Sequence, residues 1–384
     1  MAVRDLVLAV SFRYIEGMKK LLPEMNQTLL TETTLLTHVQ GYYQDLLTHL
    51  AQAKNMISMT CLSFAYGQWS GRIAAALLER AAAGVQVRLM VDEMGMLTDE
   101  PRHTWQSFRL LEGLRAGGIQ VDVFHPSGSG LSILNRMHCK FCAIDDRIVF
   151  LGGSNVGDDY VKWSDTNLRL KGNLGTAFHQ VYGYLHQFSA GYAGEAAVLS
   201  QLTGDAGRIL LTVPGQRAEI RTALLRLIEQ ADRSIYIRAW YFLPDPEILQ
   251  ALSARAASGV SVHVLISHQT RVRMVDAANY LHAHQLALNG GHVHRYTGRF
   301  MHAKAAWNNH GSFLVGSANL DPCSMMRNFE ICLAGCDPRL TFKLTQSFND
   351  DLPDCFTQTP EVYERRTLSQ KLITRACSLV SAWL

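Results

Sequence analysis

The sequence lacks an excess of charge of one sign and lacks any long hydrophobic run, and each absence excludes a class of protein. Its 36 lysines and arginines nearly balance 33 aspartates and glutamates, so the net charge of the 384 residues is only +3. A dedicated nucleic-acid-binding protein usually carries a strongly basic stripe, so nucleic acid is not the expected partner, whereas anionic phosphate substrates stay compatible. No run of 18 apolar residues occurs, and therefore no transmembrane helix is predicted.

The sequence also lacks a disulfide framework, a phosphate-binding glycine loop and a signal-peptide pattern. Its eight cysteines are scattered, which favours a reducing cytosol. Cys139 and Cys142 form a CxxC without a second pair, so packing within a strand is favoured over a zinc site. Residues 125–135 (HPSGSGLSILN) contain closely spaced glycines but no following Lys-Ser or Lys-Thr, which indicates a loop beside a cleft. Charged residues flank the apolar stretch near the start, so residues 1–20 are expected to form a helix or strand.

One motif is present twice, as RMHCKFCAIDDRIVFLGGSN at residues 136–155 and as FMHAKAAWNNHGSFLVGSAN at residues 300–319. A His and a Lys two residues apart on a strand point to the same face, because side chains alternate along a strand. Asp and Asn suit tight turns, so each copy is predicted to be a β-hairpin that presents an imidazole, an ammonium and a carboxamide at one edge. The matched positions are His138 with His302, Lys140 with Lys304, Asp145 with Asn309, Gly152 with Gly316 and Asn155 with Asn319.

The repetition extends to the segments before each motif, at residues 50–95 and 227–270. Each segment has the pattern of a buried strand, a loop, an amphipathic helix and a second strand. Strands that alternate with helices predict an α/β fold, with a mixed, largely parallel sheet flanked by helices in each half. Glycines and an aspartate at 200–208 mark a break. We therefore expect an N-terminal domain at 1–200 and a C-terminal domain at 208–384, related by a pseudo-twofold axis.

Such an axis would bring both motifs to one cleft, and their side chains suit the chemistry of phosphate esters. Lys ammoniums and Asn carboxamides are hydrogen-bond donors to phosphoryl oxygens. Two imidazoles can divide the work, since one attacks phosphorus and the other protonates the leaving alcohol. The lysines supply the positive charge, so neither a metal nor a cofactor is expected.

The two motifs resemble the HKD motif, HxKxxxxDx6GSxN, of the phospholipase D superfamily, and the resemblance covers nearly the whole chain. A narrower resemblance to bacterial cardiolipin synthases rests on NRMHCK at the first motif, LDP after the second, WSDTNLRLKG at 163–172 and NFE at 328–330. The resemblance implies two phospholipase D-like domains, with motifs at 138–155 and 302–319. It assigns catalysis to His138, Lys140, His302, Lys304, Asp165 and Glu330, and phosphate binding to Asn155, Ser317 and Asn319.

The resemblance also implies that two carboxylates orient the histidines crosswise between the halves. Asp165 lies 27 residues after His138, and Glu330 lies 28 residues after His302. In the family pattern Glu330 would orient His138, and Asp165 would orient His302. A carboxylate on one imidazole nitrogen fixes the tautomer and supports the charged ring.

Two positions depart from the family pattern. Asn309 stands where the second motif has Asp, and Gly153 stands where the first motif has Ser. Position 309 falls in the predicted turn, as Asp145 does in the first copy, and Asn can serve a turn as well as Asp does. The glycine is usual in the cardiolipin synthase subgroup.

Two further features leave alternatives open. Eight of the 15 histidines lie between His263 and His310, but no Cys or carboxylate completes a ligand set, so surface or core positions are favoured over a metal site. Residues 365–384 have apolar residues at helical spacing and only positive charges. This C-terminal amphipathic helix would either lie on an anionic membrane or dock on its own domain.

The resemblance implies a phosphatidyltransferase of the cardiolipin synthase type, which takes a phosphatidyl group onto His138 and passes it to phosphatidylglycerol or another alcohol. Expected partners are phospholipids of the phosphatidylglycerol, cardiolipin or phosphatidylethanolamine class and an anionic membrane surface. The expected location is the cytoplasm, peripheral to the inner face of the cell membrane. Three alternatives stay open: a phospholipase D that uses water, a nucleic-acid phosphodiesterase, and a non-catalytic lipid-binding relative. Neither the acceptor nor the oligomeric state follows from the sequence.

Overall fold

Each half of the chain builds one sheet with helices on its faces. The computed structural model describes residues 30–125, 135–191, 203–204 and 207–381. The strands of the first half are β1 (Leu30–His38), β2 (Met56–Cys61), β3 (Gln86–Asp92), β4 (Gln120–Phe124), β5 (Phe141–Ile144), β6 (Ile148–Gly152) and β7 (Ser164–Gly172). Their order across the sheet is β1-β7-β6-β5-β2-β3-β4.

The second half repeats this arrangement and adds strands at its edges. Its strands are β8 (Thr203–Gly204), β9 (Gly207–Val213), β10 (Arg217–Ala218), β11 (Ser234–Ala239), β12 (Ser261–Ser267), β13 (His292–Tyr296), β14 (Ala305–Asn308), β15 (Ser312–Gly316), β16 (Glu330–Cys336) and β17 (Cys355–Gln358). Their order is β10-β9-β16-β15-β14-β11-β12-β13-β17, and β8 pairs with β9. The shared core order, β7-β6-β5-β2-β3-β4 and β16-β15-β14-β11-β12-β13, is the predicted duplication.

The helices lie on both faces of these sheets. In chain order they are α1 (Val39–Leu50), α2 (Gln68–Ala82), α3 (Glu93–Thr98), α4 (Thr104–Ala116), α5 (Gly175–Ser189), α6 (Glu219–Gln230), α7 (Pro246–Ala257), α8 (Arg273–Leu288), α9 (Pro322–Met326), α10 (Pro338–Asp351), α11 (Pro360–Glu364) and α12 (Leu368–Ser381). Short 3₁₀ turns occur at Pro101–His103, Asp159–Lys162 and Leu352–Asp354. The α/β class with two mixed sheets flanked by helices is therefore confirmed.

The expectation that each sheet is largely parallel is wrong. Two strand pairs in each sheet are parallel, β2-β3 and β3-β4 in the first and β11-β12 and β12-β13 in the second. The other described pairs are antiparallel. The physical reason is the motif itself, because strands joined by a tight hairpin must run in opposite directions.

The two halves share one hydrophobic core. A single buried cluster contains Phe141 and Phe178 from the first half together with Trp307, Ile331 and Phe348 from the second. Helices α5 and α10 lie in this central layer, whereas α1, α2 and α4 cover the outer face of the first sheet and α6, α7 and α8 cover that of the second. Because close-packed interiors resist deformation, this shared core sets how the two motifs face each other. The domain boundaries at 1–200 and 208–384 stay a prediction.

The predicted C-terminal helix is present as α12, which packs on α8. Three predicted features lie wholly or partly outside the described residues. They are the expected first element, which falls within 1–29, most of the expected loop beside the cleft, at 126–134, and the end of the C-terminal helix, at 382–384. Within the described part of the chain, no helix is long and apolar enough to cross a membrane.

The aspartate position of each motif fastens the hairpin turn to the loop that precedes the central strand. Asp145 accepts backbone N–H groups of residues 54, 55 and 56, the shortest at 2.7 Å to its Oδ1. The Oδ1 of Asn309 accepts the equivalent N–H groups of residues 232, 233 and 234 at 3.1–3.3 Å. Its Nδ2 donates to Asp232 at 2.7 Å. The amide thus provides the same acceptor as the carboxylate, and the departure at position 309 leaves the turn intact.

This equivalence predicts a mild effect of Asn309→Asp and a larger effect of Asn309→Ala. Alanine removes the acceptor of three N–H groups and should lower the free energy of unfolding by about 1 kcal/mol. Aspartate keeps the acceptor but loses the N–H donated to Asp232 and faces that exposed carboxylate; because charges at an exposed site are screened, it should cost no more than about 0.5 kcal/mol and change turnover less than about tenfold. Urea unfolding and initial rates measure both, with Asp145→Asn as the matched change in the other half. A thousandfold rise in turnover with Asn309→Asp would show instead that the second motif is degraded.

Candidate active site

Backbone hydrogen bonds join the two halves directly beside each motif histidine. His138 N donates to Phe329 O at 2.9 Å, and Phe329 N donates to the carbonyl of residue 136 at 2.8 Å. In the other half, His302 N donates to Ser164 O at 2.8 Å, and Ser164 N donates to the carbonyl of residue 300 at 2.9 Å. These are short parallel bridges between 137 and 329 and between 164 and 301. Each motif therefore enters the cleft against the strand that carries the other half's carboxylate.

The carboxylates contact the histidines crosswise, as the family resemblance implies. His138 Nδ1 lies 2.8 Å from Glu330 Oε1 and 3.0 Å from its Oε2. His302 Nδ1 lies 3.0 Å from Asp165 Oδ2. Both carboxylates are buried, with exposures of 0% for Glu330 and 1% for Asp165. With Nδ1 held by a carboxylate, Nε2 of each ring is the nitrogen left for a substrate.

A buried serine holds each carboxylate, and one of the two was missed. Ser317 donates to Glu330 and accepts the N–H of residue 331 at 3.0 Å. Its exposure is 0% and its hydroxyl is engaged with Glu330, so its contact in the structure is the carboxylate, and phosphate binding by Ser317 stays a prediction. Ser154 Oγ donates to Asp165 Oδ2 at 3.0 Å. Alignment of the two motifs does not identify Ser154, because Ser154 stands one position later in the first motif than Ser317 does in the second.

The glycine that departs from the motif pattern has a steric cause. A Cβ placed on Gly153 would lie 2.3 Å from Asp165 Oδ1, which is well inside van der Waals contact. The matching position in the second half is Ser317, which faces the longer Glu330. The shorter carboxylate approaches the backbone so closely that only glycine fits there, and the serine function moves to the next residue.

Both motif lysines are buried beside their own histidines. Lys140 Nζ donates to His138 O at 3.0 Å, and Lys304 Nζ donates to His302 O at 2.6 Å. Burial lowers the pKa of Lys140 to about 8 and that of Lys304 to about 7. Glu330 opposes the shift at Lys140, and Asp165 opposes it at Lys304. Both lysines therefore begin to lose their protons close to neutral pH, and a bound anion would stabilise the charged ammonium forms.

Burial favours the neutral form of both histidines. Burial, only partly offset by Glu330, lowers the pKa of His138. Burial and the adjacent Lys304 lower the pKa of His302 to about 3. A neutral imidazole is the nucleophilic form, and a phosphodiester anion beside the second ring would raise its pKa towards protonation.

Carboxylates outside the motifs also act on the lysines. Asp99 stabilises the charge of Lys140, and Asp321 stabilises that of Lys304. Each accepts a tyrosine hydroxyl, from Tyr160 in the first half and from Tyr241 in the second. Burial raises the pKa of Asp321 to about 6. Asp321 belongs to the LDP stretch that resembles the family, so the sequence could have identified it. Asp99 could not be identified in this way, because it lies in a loop with no matching sequence in the other half.

The two motif asparagines have different surroundings. Asn155 Oδ1 accepts the N–H of residue 62 at 3.1 Å, and its Nδ2 donates to Asp99 at 3.3 Å. Asn319 is buried, and its Oδ1 has no hydrogen-bond partner among the described residues. Asn319 thus keeps an unpaired acceptor that suits an N–H or O–H of a ligand, whereas phosphate binding by both asparagines would use Nδ2 and stays a prediction.

Three of the clustered histidines outside the motifs, His263, His292 and His294, pack against one another. His263 Nδ1 lies 3.2 Å from His294 Nε2, and the rings of His263 and His292 stack with centroids 4.9 Å apart. Tyr236 stacks on the same His263 ring at 5.2 Å. Over the described ranges, no group of three or more His, Cys, Asp or Glu side chains is arranged to hold a metal ion.

Comparison with known proteins gives a consistent result. The sequence model of the family described as "Cardiolipin synthase, PLD-like domain" matches residues 46–181 and 224–352. Among curated proteins, the Major cardiolipin synthase ClsA of Bacillus subtilis (strain 168) is 29% identical over 366 residues, which cover 89% of this chain and 74% of that protein. A Cardiolipin synthase of Listeria innocua is 27% identical over 365 residues, which cover 88% of this chain and 72% of that protein.

Solved structures share the fold. The phosphatidylserine synthase of Haemophilus influenzae Rd KW20 superimposes with a TM-score of 0.76 at 14% identity, over 94% of this chain and 98% of that one. The polyphosphate kinase of Porphyromonas gingivalis superimposes with a TM-score of 0.60 at 16% identity, over 92% of this chain and 54% of that one. At these identities the likeness concerns the fold alone.

The lowered lysine pKa values predict that anion binding weakens as pH rises. The ammonium forms are present below the pKa values of about 7 for Lys304 and about 8 for Lys140 and are lost above them. Sulfate keeps a constant charge in this range, so its affinity, measured by calorimetry, should fall at least about tenfold between about pH 6 and pH 9. Lys304→Gln should remove much of that dependence. An equal sulfate affinity of the parent protein at the lowest and the highest pH would contradict this account.

Proposed function

Since the chain belongs to the phospholipase D-like family of cardiolipin synthases, we propose that it moves a phosphatidyl group from one phospholipid to the hydroxyl of another. This is the reaction of a cardiolipin synthase, and phosphatidylglycerol is the proposed donor and acceptor. The observation that carries the proposal is the crosswise pair of buried carboxylates on His138 and His302. A chain that had lost catalysis would have no reason to keep both pairs together with both buried lysines.

The first step forms a phosphohistidine. Nε2 of His138 attacks phosphorus, the N–P bond forms, and the P–O bond to the leaving glycerol breaks. The bound phosphodiester anion raises the pKa of His302, so the ring is protonated in the complex, and its Nε2 gives that proton to the leaving oxygen, so the alcohol departs neutral. Glu330 supports the positive charge that develops on the His138 ring, and Lys140 and Lys304 bind the phosphoryl oxygens. The lysines supply the charge that many phosphoryl-transfer sites take from a metal.

In the second step the N–P bond breaks, and His302, which donated a proton in the first step, accepts one. The hydroxyl of a second phosphatidylglycerol attacks phosphorus, its proton passes to Nε2 of His302, and the N–P bond breaks. Asp165 supports the imidazolium that His302 becomes. Water can enter the same step and give phosphatidic acid, so hydrolysis is the second candidate function.

A nucleic-acid substrate has less support than a phospholipid. A nucleic-acid phosphodiesterase would gain affinity from a strongly basic surface, whereas the net charge is +3. Aromatic rings beside the cleft favour a lipid, since Trp163 and Trp240 lie against His302. The names of the similar proteins, which are cardiolipin synthases, also support phospholipid substrates.

The helix α12 supports peripheral attachment to an anionic membrane, at the inner face of the cell membrane. Its Leu368, Leu372 and Leu379 are exposed by 81%, 65% and 76%, and its Cys377 packs against the small cluster of Leu243, Val275 and Ala278. Lys371 and Arg375 add positive charge to the same helix.

A double variant, in which Leu372 and Leu379 are both replaced by Gln, tests this attachment. The double variant should lower affinity for phosphatidylglycerol vesicles at least about tenfold in sedimentation assays, because two leucines no longer enter the interface. Phe342→Gln is the control, since Phe342 is 63% exposed on α10. Unchanged binding of the double variant would place membrane attachment elsewhere.

The proposed reaction is tested by incubating purified protein with vesicles of isotope-labelled phosphatidylglycerol and analysing the products by mass spectrometry. Cardiolipin and free glycerol are expected, both with and without a chelator. His138→Ala should lower product formation at least about a thousandfold, because no other group can accept the phosphatidyl group. Phosphatidic acid as the sole product would identify a hydrolase, and no lipid product at all would contradict the proposal.

A further inference from the structure

Arg271 crosses from the second half to the first at the mouth of the cleft. It lies in the loop between β12 and α8, and its guanidinium donates to the backbone oxygen of Asp99 at 3.0 Å and to Glu100 Oε1 at 3.2 Å. The carboxylate of Asp159 lies 3.6 Å away. All three acceptors belong to the first half. Arg271 therefore closes the gap between the halves beside the motifs, in addition to the backbone bridges beneath.

The same guanidinium lies over the indole of Trp163. The distance from the Arg271 Cζ to the ring centre is 4.7 Å, which is a cation–π contact. Trp163 is 8% exposed and packs against Tyr160 at 4.6 Å and against Phe300 at 4.5 Å. Its outer face is covered by Arg271, and its position is consequently set from both halves of the chain.

Trp163 also contacts the histidine of the second motif. The centres of the Trp163 and His302 rings are 5.2 Å apart, and Trp240 approaches His302 from the second half at 5.4 Å. His302 thus contacts two indoles that come from different halves, and these two rings form an aromatic wall beside it. Its Nδ1 contacts Asp165, so Nε2 is the nitrogen that exchanges a proton with an alcohol beside this wall.

The wall is absent from the equivalent position in the pseudo-symmetric half. Trp163 stands two residues before Asp165, and the residue two before Glu330 is Asn328, whose side-chain Oδ1 accepts the N–H of residue 136 at 3.1 Å. Among the described residues, no aromatic ring packs on His138 as the indoles do on His302. The two histidines therefore have unlike surroundings, one polar and one apolar, within a duplicated fold.

We propose that Arg271 fixes Trp163 against His302, and that this positioned indole makes the cleft favour an alcohol over water as acceptor. The proposal rests on the proposed transfer reaction. In its second step, the acceptor O–H gives its proton to Nε2 of His302 while the new O–P bond forms and the N–P bond breaks. An alcohol places a CH₂ group beside its oxygen, and that group can pack on the indole. Water offers no apolar group, so the wall discriminates between two acceptors of the same intermediate.

The test measures the ratio of transfer to hydrolysis. Phosphatidylglycerol vesicles with 1-propanol as the acceptor probe should give phosphatidylpropanol by transfer and phosphatidic acid by hydrolysis. Trp163→Ala should lower the ratio about fivefold or more, through loss of transfer with hydrolysis retained. Arg271→Gln should lower it in the same direction, and Trp163→Phe should keep most of it. Arg271 is 37% exposed at its side chain, so its replacement should leave the fold intact even if Trp163→Ala does not fold.

A matched pair elsewhere on the chain provides the control. Arg109 lies over Trp105 at 4.8 Å on α4, and Trp105 is 67% exposed. Trp105→Ala and Arg109→Gln should leave the ratio unchanged. A ratio unaffected by Arg271→Gln, or one lowered equally by the control variants, would overturn the proposal. If the parent protein made only phosphatidic acid, alcohol selection would be refuted while phosphodiester chemistry survived, and an absence of both products would refute the proposed function itself.

Discussion

The crosswise contact between an imidazole and a carboxylate of the other half is the interaction on which the rest of the site depends. Neither half holds a complete imidazole–carboxylate pair, because the partner of His138 is Glu330 and the partner of His302 is Asp165. The shared core and the backbone bridges beside the histidines bring these partners within 3.0 Å. Duplication alone would yield two hairpins, whereas the packing of one half on the other yields one site.

Burial gives this site its electrostatic character. It lowers the pKa of both histidines and of both lysines, so burial disfavours the positively charged forms of all four side chains. Buried charge is costly unless it is paired, and the carboxylates in and around the motifs offset that cost only in part. A phosphodiester anion completes the pairing, which links substrate binding to the protonation that catalysis requires. The aromatic rings around His302 break the pseudo-symmetry and give two similar histidines different surroundings.

Much of this arrangement is predictable from the sequence, and the limits have physical causes. Local repetition predicts the two hairpins and the duplicated pattern of strands and helices, and the family resemblance supplied the crosswise pairing. The predominance of antiparallel pairs was missed because helix and strand alternation does not reveal how the motif strands insert beside β2 and β11. Ser154 was missed because a short carboxylate forces glycine at 153 and displaces the hydroxyl by one residue. The contact of Arg271 with Trp163 joins residues 108 positions apart, and no local pattern specifies such a pair.

The central claim is that two histidines divide the chemistry, each supported by the carboxylate of the other half. It is tested most directly by mapping the covalent intermediate in Asp165→Asn and Glu330→Gln, which keep both histidines and nearly the same side-chain size. Each variant would be mixed with labelled phosphatidylglycerol, quenched within one turnover, digested and analysed by mass spectrometry. The account predicts a phosphatidyl adduct on the peptide containing His138 in Asp165→Asn, and none in Glu330→Gln. An adduct on the peptide containing His302, formed in Glu330→Gln and missing in Asp165→Asn, would contradict it.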